Sequence, residues 1–283
     1  MSTNHISERD LQVGGGRLRV RDHGGGGRLV LCIPGLSSNA SSFDMLGERL
    51  AGPTHHVVSL DLRGRGFSET TAAGTYGWPA HARDVLEVVR TVGAGRADVV
   101  GHSMGAFVAM TAAGASPDAV ARLVLIDGLG SPDRAALPPI MAGLERLGAV
   151  HESAAAYIDL VRTVGVIDPW SEYWDRYFRY DLEPTAGGVR SRTDRDAVIE
   201  DALWGADQDP RALWPALVQP TLLVRALRPI GDGGFIVSAD DRDAFLRQAP
   251  RARLVEVDAN HYTVVTDEEA AAQIRSFLDE PDA

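Results

Sequence analysis

The chain has 283 residues, 45% hydrophobic and 24% charged, with 28 Lys plus Arg against 39 Asp plus Glu and a net charge of -11. That length accommodates one large α/β domain with an insertion, or two small domains. The acidic balance argues against nucleic acid or an acidic membrane surface as a partner.

Three further readings concern the compartment. The first ten residues show neither a secretory nor a transit pattern, no stretch approaches about eighteen uninterrupted apolar residues, and the single Cys32 excludes an internal disulfide. A cytoplasmic protein with no membrane partner is expected. Cys32, inside Leu29-Val30-Leu31-Cys32-Ile33, reads as a buried small apolar residue.

In chain order, Leu11 to Val13 and Leu18 to Arg21 flank Gly14-Gly15-Gly16 and predict a hairpin. A second glycine run, Gly24 to Gly27, is a turn, because neither run has the spacing of a dinucleotide site. Leu29 to Ile33 is an apolar run typical of a strand buried on both faces, and it leads into Pro34-Gly35-Leu36-Ser37-Ser38-Asn39. A helix is expected over 39–50, a strand over 56–60, and a helix over 78–92, where Val85, Leu86, Val88 and Val89 recur at helical spacing.

The apolar run Ala97-Asp98-Val99-Val100 then meets Gly101-His102-Ser103-Met104-Gly105, a G-x-S-x-G pattern, and a small-residue helix is expected from Met104 to Ala115. A strand-to-helix turn that sharp wants glycine two residues before and after the serine. The next strand is Leu123 to Ile126, closing on Asp127.

From about Ser131 to Trp214 no strand-like run appears and aromatics become dense. Asp168-Pro169 reads as a helix start, with Trp170, Tyr173, Trp174, Tyr177 and Phe178 on one face. Strand character returns at Pro220 to Val224, followed by a loop through Asp232, a helix over 240–248, and a last strand over 253–257 that ends in Asp258-Ala259-Asn260-His261. A closing helix is expected from Thr266, with a capping box to Glu269.

This alternation implies a doubly wound, mostly parallel sheet whose sites lie at the C-terminal strand ends. A helical lid over 131–212 is expected to interrupt a core formed by 1–130 and 213–283.

Gly101 to Gly105, the stretch Asp61-Leu62-Arg63-Gly64-Arg65-Gly66-Phe67-Ser68 and the pair Asn260-His261 together resemble an α/β-hydrolase of the lidded serine esterase and lactonase kind. The resemblance implies Ser103 as nucleophile and His261 as its base. A serine hydroxyl needs a neighbouring base to take its proton, and a carboxylate must orient and stabilise the imidazole. Two acids compete: Asp127 at the end of the preceding strand, and Asp232 in the glycine-rich loop, where the family's commoner position holds Pro229. Asp127 is preferred because it needs no loop rearrangement.

The resemblance also implies an oxyanion hole. The family's histidine-glycine pair is Pro34-Gly35 here, which leaves the amides of Leu36 and Met104 as candidate donors. Asp61 and Arg63 are expected to lock loops together, His102 to pack beneath the serine, and the remaining histidines, His81 among them, to lack triad or metal context.

The expected activity is cofactor-free and metal-free hydrolysis of a carboxylic ester or lactone of a small molecule through an acyl-serine. Trp170, Trp174, Trp204 and Trp214 suggest a largely apolar substrate portion. The alternatives are a carbon–carbon bond hydrolase of ring-cleavage products, perhydrolysis, and a non-catalytic small-molecule receptor on the same fold.

Overall fold

A computed structural model describes residues 6–231 and 233–281. The chain runs through β1 (Ser7–Val13), β2 (Gly16–Gly24), β3 (Arg28–Ile33), α1 (Asp44–Leu50), β4 (His55–Leu60), α2 (Trp78–Val92), β5 (Ala97–His102), α3 (Met104–Ala115) and β6 (Val120–Ile126). An inserted segment follows, carrying α4 (Leu137–Glu145), α5 (Ala154–Val164), α6 (Glu172–Tyr180), β7 (Leu182–Thr185), β8 (Gly188–Ser191) and α7 (Arg195–Ala206). The chain closes with β9 (Thr221–Ala226), α8 (Ala239–Gln248), β10 (Ala252–Val257) and α9 (Glu268–Leu278).

Eight strands form one sheet in the order β1-β2-β4-β3-β5-β6-β9-β10. The pairs β1 with β2 and β2 with β4 are antiparallel, and the rest are parallel. Alternate residues of one strand feed opposite faces, so the continuous apolar runs are explained by burial on both sides. Leu29, Leu31 and Ile33 join a core with α2, α3 and α8, whereas Val30 and Cys32 join one with α1 and α9. Burial pushes the Cys32 thiol far above its ordinary range, as befits a packing residue.

From β3 the chain crosses to β4 on one side and β5 on the other. The crevice of such a sheet lies at that reversal, outside the carboxyl ends of the strands. The loops after β3, β4, β5, β6 and β10 all open there.

Local expectations needed correction at several places. Over 39–50 the backbone first makes a 3-10 turn, Ala40–Phe43, capped by Asn39 Oδ1 accepting from the Ser41 amide at 3.0 Å. Asp168 does not start a helix: the Asp168-Pro169 peptide is cis and α6 begins at Glu172. Trp170 therefore stands outside the helix, where its ring stacks on Phe178 with centroids 5.8 Å apart. The last helix is capped by Asp267, whose Oδ1 accepts from the Ala270 amide at 2.8 Å, while the Thr266 hydroxyl donates to the Thr263 carbonyl and completes the preceding 3-10 turn. The strands β7 and β8 were not foreseen, because Leu-Glu-Pro-Thr is short, has no alternation, and pairs only with its hairpin partner.

Candidate active site

The turn at Ser103 is held by close packing. A Cβ on Gly101 would lie 2.2 Å from the Gly105 carbonyl oxygen, and one on Gly105 would lie 2.1 Å from that of Ile33. Neither position tolerates a side chain. Ser103 itself has φ 55° and ψ -123°, a conformation that costs on the order of 1–3 kcal/mol and persists only when its surroundings impose it. The Ser103 amide donates to Ile126 O at 3.0 Å, tying the turn to β6. Ser103 is partly exposed between buried neighbours.

Three predicted residues come together in one hydrogen-bonded chain. His261 Nε2 lies 3.1 Å from Ser103 Oγ, and His261 Nδ1 lies 2.9 Å from Asp127 Oδ2. Asp127 also has positive φ, 42°, and its amide donates to Val224 O at 2.8 Å. Its Oδ1 accepts from the Ala226 amide at 3.1 Å, so one oxygen is anchored to β9 and the other is free for the imidazole. Asp232, the competing acid, lies outside the described residues.

The loop carrying His261 is fixed by its neighbour. Asn260 Oδ1 accepts from the amides of Tyr262 and Thr263 at 3.0 Å each, and its Nδ2 donates to Val166 O of the inserted segment at 2.8 Å. From below, His102 Nε2 donates to the His261 carbonyl at 2.9 Å. Burial, then the adjacent His261, holds the His102 imidazole well below its usual range, so it sits there neutral. Packing beneath the serine was legible for His102, but this backbone contact was not.

A Cβ on Gly35 would approach Ser103 Cβ to 3.1 Å, so the loop after β3 lies directly against the serine. The Leu36 and Met104 amides donate to no protein acceptor among the described residues. They are unspent donors on the two loops that meet at Ser103. Asp61 locks loops as expected: Oδ1 accepts from the Ala40 amide at 2.7 Å, and Oδ2 from the Phe67 amide and Tyr180 Oη at 2.8 Å each. Arg63 pairs with Asp84 at 2.6 Å.

The inserted segment brings polar groups as well as rings toward this crevice. Tyr177 Oη lies 3.0 Å from Ser38 Oγ, and Leu144 and Leu147 pack on Leu36. Between those leucines Arg146 is half-buried, with Nε donating to Tyr157 Oη at 2.8 Å, Nη1 to Gly143 O, and the guanidinium 5.9 Å from the Phe178 ring. No carboxylate pairs with it among the described residues. Nothing in the sequence pattern singled it out.

The tryptophan expectation holds only in part. Trp174 packs within the α6 aromatic cluster, but Trp204 packs edge-on against Trp78, and Trp214 is buried in the core against Phe245 with its indole donating to Leu129 O at 3.2 Å. Trp214 follows the inserted segment and belongs to the seat of α8 and α3. A surface groove of about 780 Å³ between the two hairpins lies elsewhere, and its Arg17 and Arg190 are already paired with Asp10 and Glu183.

Known proteins resemble the chain over these same features. The α/β hydrolase family model matches residues 30–275. The 2-(acetamidomethylene)succinate hydrolase of Mesorhizobium japonicum is 28% identical over 99% of this chain and 98% of its own length. A crystal structure of E-2-(acetamidomethylene)succinate hydrolase superposes with a TM-score of 0.86 at 27% identity, covering 98% of this chain and 100% of that one. Two Pseudomonas putida proteins match about half of each chain. N-formylmaleamate deformylase is 34% identical over 49% of this chain and 51% of its own length, and 2-hydroxymuconate semialdehyde hydrolase is 31% identical over 48% and 47%. The chain is a member of the α/β hydrolase family.

Proposed function

We propose that this chain is a serine hydrolase that opens an acyl bond, an ester or lactone in the simplest case, of a small molecule carrying a carboxylate. The observation that carries the reading is the relay from Ser103 Oγ through His261 to Asp127, at 3.1 and 2.9 Å. His261 takes the serine proton as Oγ attacks the acyl carbon, and Asp127 keeps the proton on Nδ1 and stabilises the imidazolium. The negative oxygen of the tetrahedral intermediate is met by the Leu36 and Met104 amides, each worth about 2.7–4 kcal/mol in such a role. His261 then returns the proton to the leaving group, and water, activated by the same imidazole, releases the acyl group.

The substrate class rests on Arg146. A half-buried guanidinium among Tyr157, Tyr177 and Phe178, with no carboxylate within ion-pair distance among the described residues, is an expensive arrangement unless an anion completes it. A carboxylate fits its planar fork. The relatives' names, which speak of a succinate, a maleamate and a muconate semialdehyde, agree with that chemistry. The largely apolar substrate portion suggested by the tryptophans becomes, in this reading, an acid bound in an aromatic frame, with α4 to α7 as the lid.

Carbon–carbon hydrolysis is the second reading, favoured by the likeness to 2-hydroxymuconate semialdehyde hydrolase. A substrate panel separates the two: 4-nitrophenyl butyrate, 4-nitrophenyl hydrogen succinate, a γ-lactone and a 2-hydroxy-6-oxodienoate. Ester or lactone turnover with a nitrophenolate burst matching the enzyme concentration is expected. Turnover of the dienoate with inert esters and lactones would select the carbon–carbon reading.

A further inference from the structure

Two polar links tie the loop that presents the Leu36 amide to the inserted segment. One is the Ser38 contact with Tyr177 of α6 at 3.0 Å. The other runs through Arg65. Its Nε donates to the Leu36 carbonyl at 3.0 Å, its Nη1 to the Arg63 carbonyl at 3.0 Å, and its Nη2 lies 2.6 Å from Asp201 Oδ2 on α7 as an ion pair. Both side chains are fully buried, at 0% exposure.

Asp201 is fixed in turn from the body. Its Oδ1 accepts from the Gly77 amide at 2.6 Å, and its Oδ2 lies 2.9 Å from His81 Nε2, itself fully buried. Burial lowers the His81 pKa, so Arg65 is the cation that Asp201 answers. A buried ion pair is retained at a cost when it fixes a geometry that apolar packing would leave loose.

We propose that Arg65 is a positioning residue for the oxyanion hole: held by Asp201, it grips the Leu36 carbonyl, in the peptide unit next to the one that carries the Leu36 N–H, so the seating of α7 sets where the turn holding that amide sits against Ser103. The guanidinium suits this task because its rigid fork reaches the Leu36 carbonyl and Asp201 at once, whereas a lysine ammonium is a single point. Within the loop, the Ser38 amide donates to Gly35 O at 3.2 Å and so holds the peptide unit that carries the Leu36 N–H, while Gly35 must stay free of a side chain to lie against Ser103. The turn sets the plane of the donor, and the Arg65 link from outside the loop sets where that turn is placed. The inference rests on the proposed role of the Leu36 amide.

The test compares wild type with Arg65→Lys, Asp201→Asn and the double variant, using 4-nitrophenyl acetate turnover and the rate of covalent labelling by a fluorophosphonate, each normalised to folded protein by circular dichroism. Glu200→Gln is the control. Glu200 also fastens α7 to the body, accepting from the Gly74 amide at 2.9 Å and the Tyr76 amide at 3.0 Å, without reaching the Leu36 loop. Arg65→Lys and Asp201→Asn are each expected to lower kcat about 10- to 100-fold with KM within threefold, and to slow labelling in proportion. The double variant should be no worse than the poorer single one, because one linkage is cut.

Unchanged kcat in both singles, a change in KM alone, or an equal loss in Glu200→Gln would overturn the proposal. If Arg65→Lys fails to fold, Asp201→Asn decides it by the same measures. Failure of wild-type Ser103 to label would instead overturn the serine mechanism, and the role of the Leu36 amide with it.

Discussion

His102 Nε2 donates to the carbonyl oxygen of His261 across 2.9 Å, with the two rings 4.7 Å apart, so the histidine next to the serine in sequence supports the backbone of the histidine opposite it in space. His102→Phe keeps a ring and removes the donor. The lost bond and the carbonyl left unsatisfied together cost about 1–3 kcal/mol, which in a protein of this size lowers Tm by several degrees. A thermal melt checks this, and an unchanged Tm would mean the contact contributes nothing.

Among the described residues, Asp127 is the acid in reach of His261 Nδ1. Asp127→Asn is expected to leave the fold intact and lower kcat by about 10³ to 10⁴, through the wrong imidazole tautomer. Asp232→Asn should leave kcat near wild type. Steady-state kinetics on 4-nitrophenyl acetate would reverse the assignment if the large loss appeared at Asp232.

Arg146→Gln removes the guanidinium charge but keeps a polar side chain of similar reach. For 4-nitrophenyl hydrogen succinate kcat/KM should fall about 10- to 100-fold, the value of a charged hydrogen bond. The neutral butyrate ester should change less than threefold. Equal losses on both esters would show that the guanidinium holds structure rather than substrate.

Asp181 joins α6 to the β7–β8 hairpin, with its carboxylate accepting from Ser191 and from Thr193 Oγ1. Burial pushes its pKa up to about 6 against those two donors. A carboxyl raised above its unfolded value of 3.8 binds more protons when folded, so its share of stability is full below that value and is lost as pH rises toward 6. Asp181→Asn has no such slope. Urea denaturation from pH 4 to 7 should therefore show wild type losing ground to the variant as pH rises, and a constant difference would contradict the shift.

Much of the frame was legible because its physics is local. β3, α2, β5 and α3 follow from runs whose apolar period and glycine placement admit one backbone, and Gly101 and Gly105 are required by contacts that any side chain would violate. The positions of Ser103, Asp127 and His261 followed from strand ends. What escaped was tertiary. Arg146 and Asp201 gain meaning only from what surrounds them, and no spacing rule links residue 201 to residue 65. The density of aromatic residues around Trp204 and Trp214 does not encode which way a helix faces, and both rings pack into the body rather than line a pocket.

The proposed mechanism requires an activated Ser103. Intact-mass and peptide mass spectrometry after treatment with a fluorophosphonate should show one adduct, on Ser103, with labelling abolished in Ser103→Ala and strongly slowed in His261→Gln. A folded wild-type protein that takes no adduct, or carries it on another residue, would contradict the proposed function.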